Sequence, residues 1–333
     1  MAIGRGSRAV RGREAPGTQA PAIAGEVRAG LLRPDKRLPA HLFYDVVGSE
    51  LFERITELPE YYLTRAERSI LEADADAIIA AAARGASGPL HVVELGAGTA
   101  TKSEILLEAA VRRQGPTIFV PVDVSHAALA EASERLGRRA PHVAVHPVVA
   151  RHEDALPHIR GLGPRRLVLF IGSSVGNYDD DDACALLKRV GRTLAPGGAL
   201  LLGADLRKSP DVLVPAYDDA QGVTAAFNKN ILARINRELG GRFELDRFRH
   251  VALWNEELSR IEMHLESTVA QRVAIDALGV EVTLRAGERI HTESSNKYDE
   301  PRIDAILEAS GFVREQAWYD ADHRFVLCLG RVR

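Results

Sequence analysis

Past Gly85 the chain alternates short, uninterrupted apolar runs with longer stretches in which apolar residues recur every three or four positions. HVVEL, TIFVPVD, HVAVHPVVA, RLVLFIG and ALLLGAD are the runs; SEILLEAAV, HAALAEASERL and ACALLKRVGRTL are periodic stretches among them. Strands this apolar are buried on both faces, and strands alternating with helices imply right-handed crossovers and a parallel sheet. The pattern predicts a doubly wound, Rossmann-like α/β domain. Upstream, Thr64 and Glu67 are spaced as a capping box, and Ile70, Leu71, Ile78 and Ile79 then recur at helical spacing, so a long helix is expected to about Gly85. Before Thr64 the segment starting at Leu38 mixes aromatic and aliphatic residues with little period, and folded structure is expected to begin there.

After Asp205 the alternation stops. A helical stretch, TAAFNKNILARINREL, and amphipathic strands such as RIEMHLEST and VEVTLRA describe a second, smaller α+β domain. Near its end the chain goes back to the α/β pattern. Asp299, Glu300 and Pro301 open a helix, Gly311 ends it, and two strands, FVREQAWY and HRFVLCLG, are placed to complete the first sheet. The expected division is a disordered tail over 1–34, one domain from 66–207 and 299–333, and a second from 35–65 and 208–298.

Composition narrows the class. With 333 residues, 46% of them hydrophobic, and a formal charge of -3, the chain is an ordinary globular protein with room for two domains. Acids and bases are interspersed, without the basic face that attracts phosphate backbones, so nucleic acid is not an expected partner. No apolar window reaches the roughly 18 residues of a membrane helix, and membranes are likewise not expected. Cys184 and Cys328 lie in apolar stretches without metal-ligand spacing and read as buried thiols in a reducing compartment, the cytoplasm. A monomer is expected. Arg5, Arg8, Arg11 and Arg13 give the tail the basic look of a transit peptide, but Glu14 and the lack of an amphipathic period speak against one. Asp179 to Asp182 could suggest a metal, yet acids are ordinary at a helix N-terminus; no metal is expected.

Val92 to Thr99, VVELGAGT, is a buried strand followed by a Gly-x-Gly turn and a helix, the place where open α/β sheets bind ligands. A dinucleotide fingerprint needs a third glycine at 101, where this chain has Thr101 and then Lys102, so a nicotinamide oxidoreductase is disfavoured. S-adenosylmethionine has no phosphate. Its carboxylate suits Lys102 and the amides at the helix start, Gly96 and Gly98 allow close backbone approach, and Asp123 ends the next strand where ribose hydroxyls need an acceptor.

Taken together, FYDVVGSELFERITELPEYY, ELGAGTATK, FIGSSVGN, AYDDAQGVTAAFN, RIEMHL and HTESSNKY resemble the histidine-specific Nα-methyltransferases of the ergothioneine pathway, over nearly everything after residue 37. The resemblance implies a class I methyltransferase sheet roofed by a smaller α+β substrate domain, S-adenosylmethionine as methyl donor and L-histidine as partner. It implies that Tyr61, Gly172, Asn177 and Tyr217 hold the amino-acid end of the substrate. Tyr44 stands near the amine, where it would help remove the ammonium proton directly or through water. Glu293 and Ser295 would read the imidazole, with Met263 packing nearby. It also implies three methylations of one nitrogen. The residue types suit the chemistry: an imidazole N–H needs an acceptor, and a site built for hydrogen bonds rejects analogues that leave its groups unpaired.

One segment departs from the family pattern. Where the family carries an acid that contacts adenine, this chain has Ala150, Arg151 and His152, and arginine cannot accept a hydrogen bond. With Arg151 and His152 on the cofactor side, weaker cofactor binding than in an Arg151→Asp variant is expected. Plainer readings stand beside the others: Met263, Tyr61 and Tyr62 as core, Glu293 as a solvated strand residue. Methylation of tryptophan or tyrosine, and a catalytically silent binding protein, are the alternatives to histidine methylation.

Overall fold

The computed structural model describes residues 20–84, 88–163, 165–194 and 198–333. Helix α1 (Ala20–Leu31) opens the described chain, followed by α2 (Val46–Thr56) and α3 (Leu63–Ala82). Strands and helices then alternate as β1 (His91–Leu95), α4 (Ser103–Gln114), β2 (Thr117–Asp123), α5 (His126–Arg139), β3 (Val143–Val145), β4 (Val148–Val149), α6 (His152–Arg160), β5 (Arg166–Phe170), α7 (Asp180–Thr193) and β6 (Ala199–Asp205). The second unit holds α8 (Pro210–Leu213), α9 (Val223–Leu239), β7 (Phe248–Asn255), β8 (Arg260–Ser267), β9 (Gln271–Ile275), β10 (Val280–Leu284) and β11 (Arg289–Asn296). The chain closes with α10 (Glu300–Ala309), β12 (Phe312–Tyr319) and β13 (Phe325–Val332).

The main sheet runs β12-β13-β6-β5-β1-β2-β3, with β4 also pairing β2. Its strands are parallel except for the returning β13, antiparallel to β6, and β12 beside it. The chain crosses one way from β1 to β2 and returns past β1 to β5, so the loops after β1 and β5 diverge and leave a crevice at the carboxyl ends of the strands. Both faces are dry. Ile70 and Ile78 of α3 and Leu106 of α4 cover one, while Leu187 and Val190 of α7 and Ile303 and Ile306 of α10 cover the other.

The second unit is an antiparallel sheet, β11-β8-β7, and a β9–β10 hairpin, both packed with α9. Phe227 of α9 stacks on Phe43 at 4.5 Å between ring centroids and also meets Phe52 of α2.

The structure corrects three expectations. Residues 20–34 are not all tail: Ile23, Val27 and Leu31 recur at helical spacing in α1 and are buried in the core. The Arg5 to Arg13 stretch and Gly85 lie outside the described residues. Thr64 does not cap α3; Tyr62 holds that position without a side-chain cap, and Glu67 is buried elsewhere, as described below. HVAVHPVVA is two short strands, because Pro147 has no N–H to donate to the ladder.

Candidate active site

On the donor side, β1 ends in a turn with Gly96 at φ +76° and Gly98 at φ +51°, left-handed values that favour glycine. The amides of Gly96 and Ala97 donate to Val122 O, at 2.9 and 3.0 Å, and Gly98 N donates to Asp123 Oδ2 at 2.8 Å. Ser125 N holds the other oxygen of Asp123, also at 2.8 Å. The carboxylate at the end of β2 is thus aimed by two amides and retains lone pairs for hydroxyl donors. A Cβ on Gly98 would meet nothing within 4 Å, and one on Gly96 would come 3.1 Å from His152 Nε2. An adenosyl group with a ribose diol and a carboxylate fits these residues: open backbone, an oriented acceptor and a nearby ammonium.

That ammonium, on Lys102, is already shared. Glu67, fully buried, pairs with Lys102 and accepts Gly172 N at 2.7 Å, tying the β1 and β5 loops to α3. The sequence presents Glu67 only as half of a capping signal, which has the same spacing as a buried acid one helical turn into α3. Nor does any sequence signal single out Glu94: buried on β1, it accepts from Ser103 Oγ, and burial pushes its carboxyl up to about 8.

Arg151 and His152 diverge. Arg151 reaches back to α1, 2.7 Å from Glu26 and 2.8 Å from His41, and Glu26 and His41 are themselves 2.8 Å apart. His152 stays by the glycine turn, half-buried with its ring edge-on to Phe170, and its Nδ1 is 2.9 Å from Tyr178 Oη. Desolvation lowers its pKa, so the neutral ring is favoured.

On the acceptor side, a bulge in β11 decides what faces inward. Ile290 points into the core, and strict alternation would send Glu293 and Ser295 outward. The β8 pairing skips from His291 to Glu293, so Thr292 is the extra residue and both side chains turn inward, Glu293 opposite Met263 and Ser295 opposite Ile261. Thr292 Oγ1 donates to Met263 O at 3.0 Å and pins the bulge.

Glu293 has 9% of its surface exposed and no hydrogen-bond or ion-pair partner among the described residues. Burial raises its pKa to about 7, with the positive charge of Lys297 partly opposing the rise. Tyr44, Tyr61 and Tyr217 surround this charge. Burial first, then neighbouring charges and phenols including Glu293, pushes all three well above the ordinary phenol range. Tyr61 packs edge-on against Tyr217 at 6.2 Å, and Tyr44 against Phe52 and Phe227. Tyr217 Oη lies 2.8 Å from Ser295 Oγ. Asn177 ends the 3₁₀ turn after β5, exposed and without a side-chain hydrogen bond among the described residues, and Gly172 stands on the Glu67–Lys102 side, its amide taken by Glu67. The structure therefore gathers Tyr44, Tyr61, Tyr217, Met263, Glu293 and Ser295 at one place, and Gly96, Gly98, Lys102 and Asp123 at the adjoining crevice.

A glycine turn without a third glycine, an acceptor at the end of β2 and the reversed, antiparallel β13 beside β6 define a class I S-adenosylmethionine-dependent methyltransferase. The family described as histidine-specific methyltransferase, SAM-dependent, matches residues 23–332, and the chain belongs to it. It is 44% identical over 310 residues to histidine N-alpha-methyltransferase of Mycolicibacterium smegmatis, covering 93% of this chain and 95% of that protein. Against the protein of that name from Mycobacterium tuberculosis it is 43% identical over 308 residues, 92% of this chain and 94% of the other. L-tryptophan methyltransferase of Psilocybe serbica is 28% identical over 344 residues, 96% of this chain and 95% of that one. No helix among the described residues is long and apolar enough to cross a membrane.

Proposed function

We propose that the enzyme transfers methyl groups from S-adenosylmethionine to the α-amino nitrogen of free L-histidine, three times, giving the trimethylated betaine that begins ergothioneine biosynthesis. The observation that carries the reading is the partnerless buried carboxyl of Glu293 beside the Ser295 hydroxyl. A buried acid with no partner in the protein is costly unless a ligand supplies one, and an imidazole N–H is such a partner. Tryptophan and tyrosine side chains leave less for this acid and hydroxyl to bind together.

When bound, the donor supplies an electrophilic methyl on a positively charged sulfur. In this reading Gly96, Gly98, Asp123 and Lys102 hold it, Lys102 keeping Glu67 as a partner while its remaining hydrogens serve the carboxylate, and His152 lines the adenine side. Residues 66–207 and 299–333 form that half, and 35–65 with 208–298 form the amino-acid half. Tyr61, Tyr217, Asn177 and the Gly172 loop take the backbone end of the amino acid, while Met263 packs against the ring that Glu293 and Ser295 read.

Displacement at the methyl needs a neutral amine in line more than a strong acid. Tyr44, its phenol protonated at neutral pH, does not begin as a phenolate base. Its oxygen accepts from the amine and orients it, and the proton leaves through water. Free histidine and the sulfonium donor are cytoplasmic metabolites, which is the compartment this reading assigns. Product mass after incubating each of histidine, tryptophan and tyrosine with the protein and S-adenosylmethionine tests the proposal. Up to three methyl additions to histidine alone are expected; methylation of another amino acid in preference to histidine would overturn it.

A further inference from the structure

At the end of β11, two residues after Ser295, the side chain of Lys297 is wholly buried. Its ammonium is 2.8 Å from Tyr217 Oη, 2.9 Å from Ser295 Oγ and 2.9 Å from Asp205 Oδ2. Asp205, equally buried at the end of β6, also accepts from Tyr62 Oη at 2.7 Å and from Lys208 Nζ at 2.7 Å. A buried charge needs pairing, and Asp205 pairs with Lys208 whether or not Lys297 is there. An ion pair between the layers therefore does not by itself account for a second buried lysine.

The hydrogens do account for it. An ammonium has donors and no acceptor, and here Tyr217 and Ser295 each take one of its hydrogens while Asp205 lies 2.9 Å away as its counter-ion. Both hydroxyl oxygens are thus acceptors toward Lys297. Of their two hydrogens, one lies in the 2.8 Å bond between them. A single hydrogen is left to point into the site. If it is on Ser295, Tyr217 can only accept from a substrate, and if it is on Tyr217, Ser295 can only accept.

We propose that Lys297 is a positioning residue of the amino-acid site: it touches no substrate atom, but fixes Tyr217 and Ser295 so that the two hydroxyls offer one donor between them and the backbone end and ring end of the amino acid are read jointly. This rests on the reading that histidine lies against Tyr217, Ser295 and Glu293. With the donor on Ser295 and Glu293 ionised, the site matches a neutral imidazole, which carries one N–H and one bare nitrogen. The positive charge of Lys297 also helps to keep Glu293 ionised.

Calorimetric titration of histidine into the protein saturated with S-adenosylhomocysteine tests this, using Lys297→Met and Asp205→Asn. Lys297→Met is expected to weaken histidine about tenfold or more, the effect of disordering hydrogen bonds at a polar site, while its affinity for S-adenosylhomocysteine stays within about threefold. Asp205→Asn, which breaks the ion pair but leaves Lys297 against both hydroxyls, is expected to lower the melting temperature and keep histidine affinity within about threefold. In Lys297→Met the pH at which histidine binding is half lost on the acid side is expected to rise, because Tyr44, Tyr61 and Tyr217 around Glu293 supply no positive charge in its place. Lys297→Met that binds S-adenosylhomocysteine and binds histidine as the wild type does would overturn the proposal. So would equal loss of histidine affinity in Asp205→Asn, which would reduce Lys297 to a tie between layers and can be read even if Lys297→Met does not fold. A wild-type protein that binds no histidine would instead refute the substrate reading beneath it.

Discussion

A carboxyl buried without a partner shifts the balance between its charged and neutral forms, and at Glu293 the shift has two measurable consequences. If its carboxylate accepts the imidazole N–H, Glu293→Gln removes one charge-assisted hydrogen bond, and kcat/KM for histidine is expected to fall about 10- to 100-fold with S-adenosylhomocysteine affinity unchanged. Steady-state kinetics beside a binding isotherm checks both. The second consequence concerns the free enzyme. Folding favours the protonated acid, so ionisation opposes folding. The penalty is absent below the ordinary carboxyl pKa near 4.5, grows as pH rises towards about 7, and is complete above that, where it amounts to about 3 kcal/mol. Glu293→Gln is therefore expected to stabilise the unliganded protein against urea at pH 8 and to have little effect at pH 4.5. Equal effects at both pH values would contradict the assigned burial. The TExS context singled Glu293 out, whereas what leaves it unpaired, the hydrogen bonds of Lys297 to two hydroxyls and its ion pair with Asp205, belongs to distances no sequence pattern carries.

Elements were legible where local signals and tertiary packing agree. Asp299 accepts from Arg302 N as the N-cap of α10, Gly311 follows the helix at φ +85°, and β12 covers the FVREQAWY run. They were misread where one signal has two causes. Thr64 and Glu67 have the spacing of a cap, but Glu67 turns inward to Gly172 and Lys102 because a buried acid there joins two loops. In β11 the inward face changes from even to odd positions at Thr292, and a period-2 reading cannot anticipate an extra residue. α1 was missed because its apolar positions are spaced four apart among alanine and glycine directly after an arginine-rich stretch. Its packing predicts that the helix is part of the fold: Leu31, 1% exposed, when replaced by Ala should cost about 2–4 kcal/mol. Chemical denaturation measures this, and a change below about 1 kcal/mol would return α1 to the surface.

At the scale of the molecule the site is made by the join between the two units. Asn296 of β11 donates to Gly176 O at 2.9 Å and Tyr178 O at 2.7 Å, and Tyr298 Oη donates to Val175 O at 3.2 Å. These bonds hold the turn after β5 against the strand that carries Glu293 and Ser295, so the crevice proposed for the donor and the pocket proposed for the amino acid share a wall. Asn296→Ala leaves two carbonyls unpaired at that wall and is expected to cost about 2–3 kcal/mol of stability and to raise KM for histidine, as urea denaturation and initial rates would report. The sequence divided the chain into two units at Asp205 and brought in the terminal strands, but it could not show that Asp205 of one unit and Tyr62 and Lys297 of the other would meet. The most direct test of the whole account is a crystal structure with histidine and S-adenosylhomocysteine bound. It should show one ring nitrogen within hydrogen-bonding distance of Glu293 and the other at Ser295, with the amine facing the sulfur and Tyr44. An imidazole ring lying away from Glu293, with that carboxyl still without a partner, would contradict it.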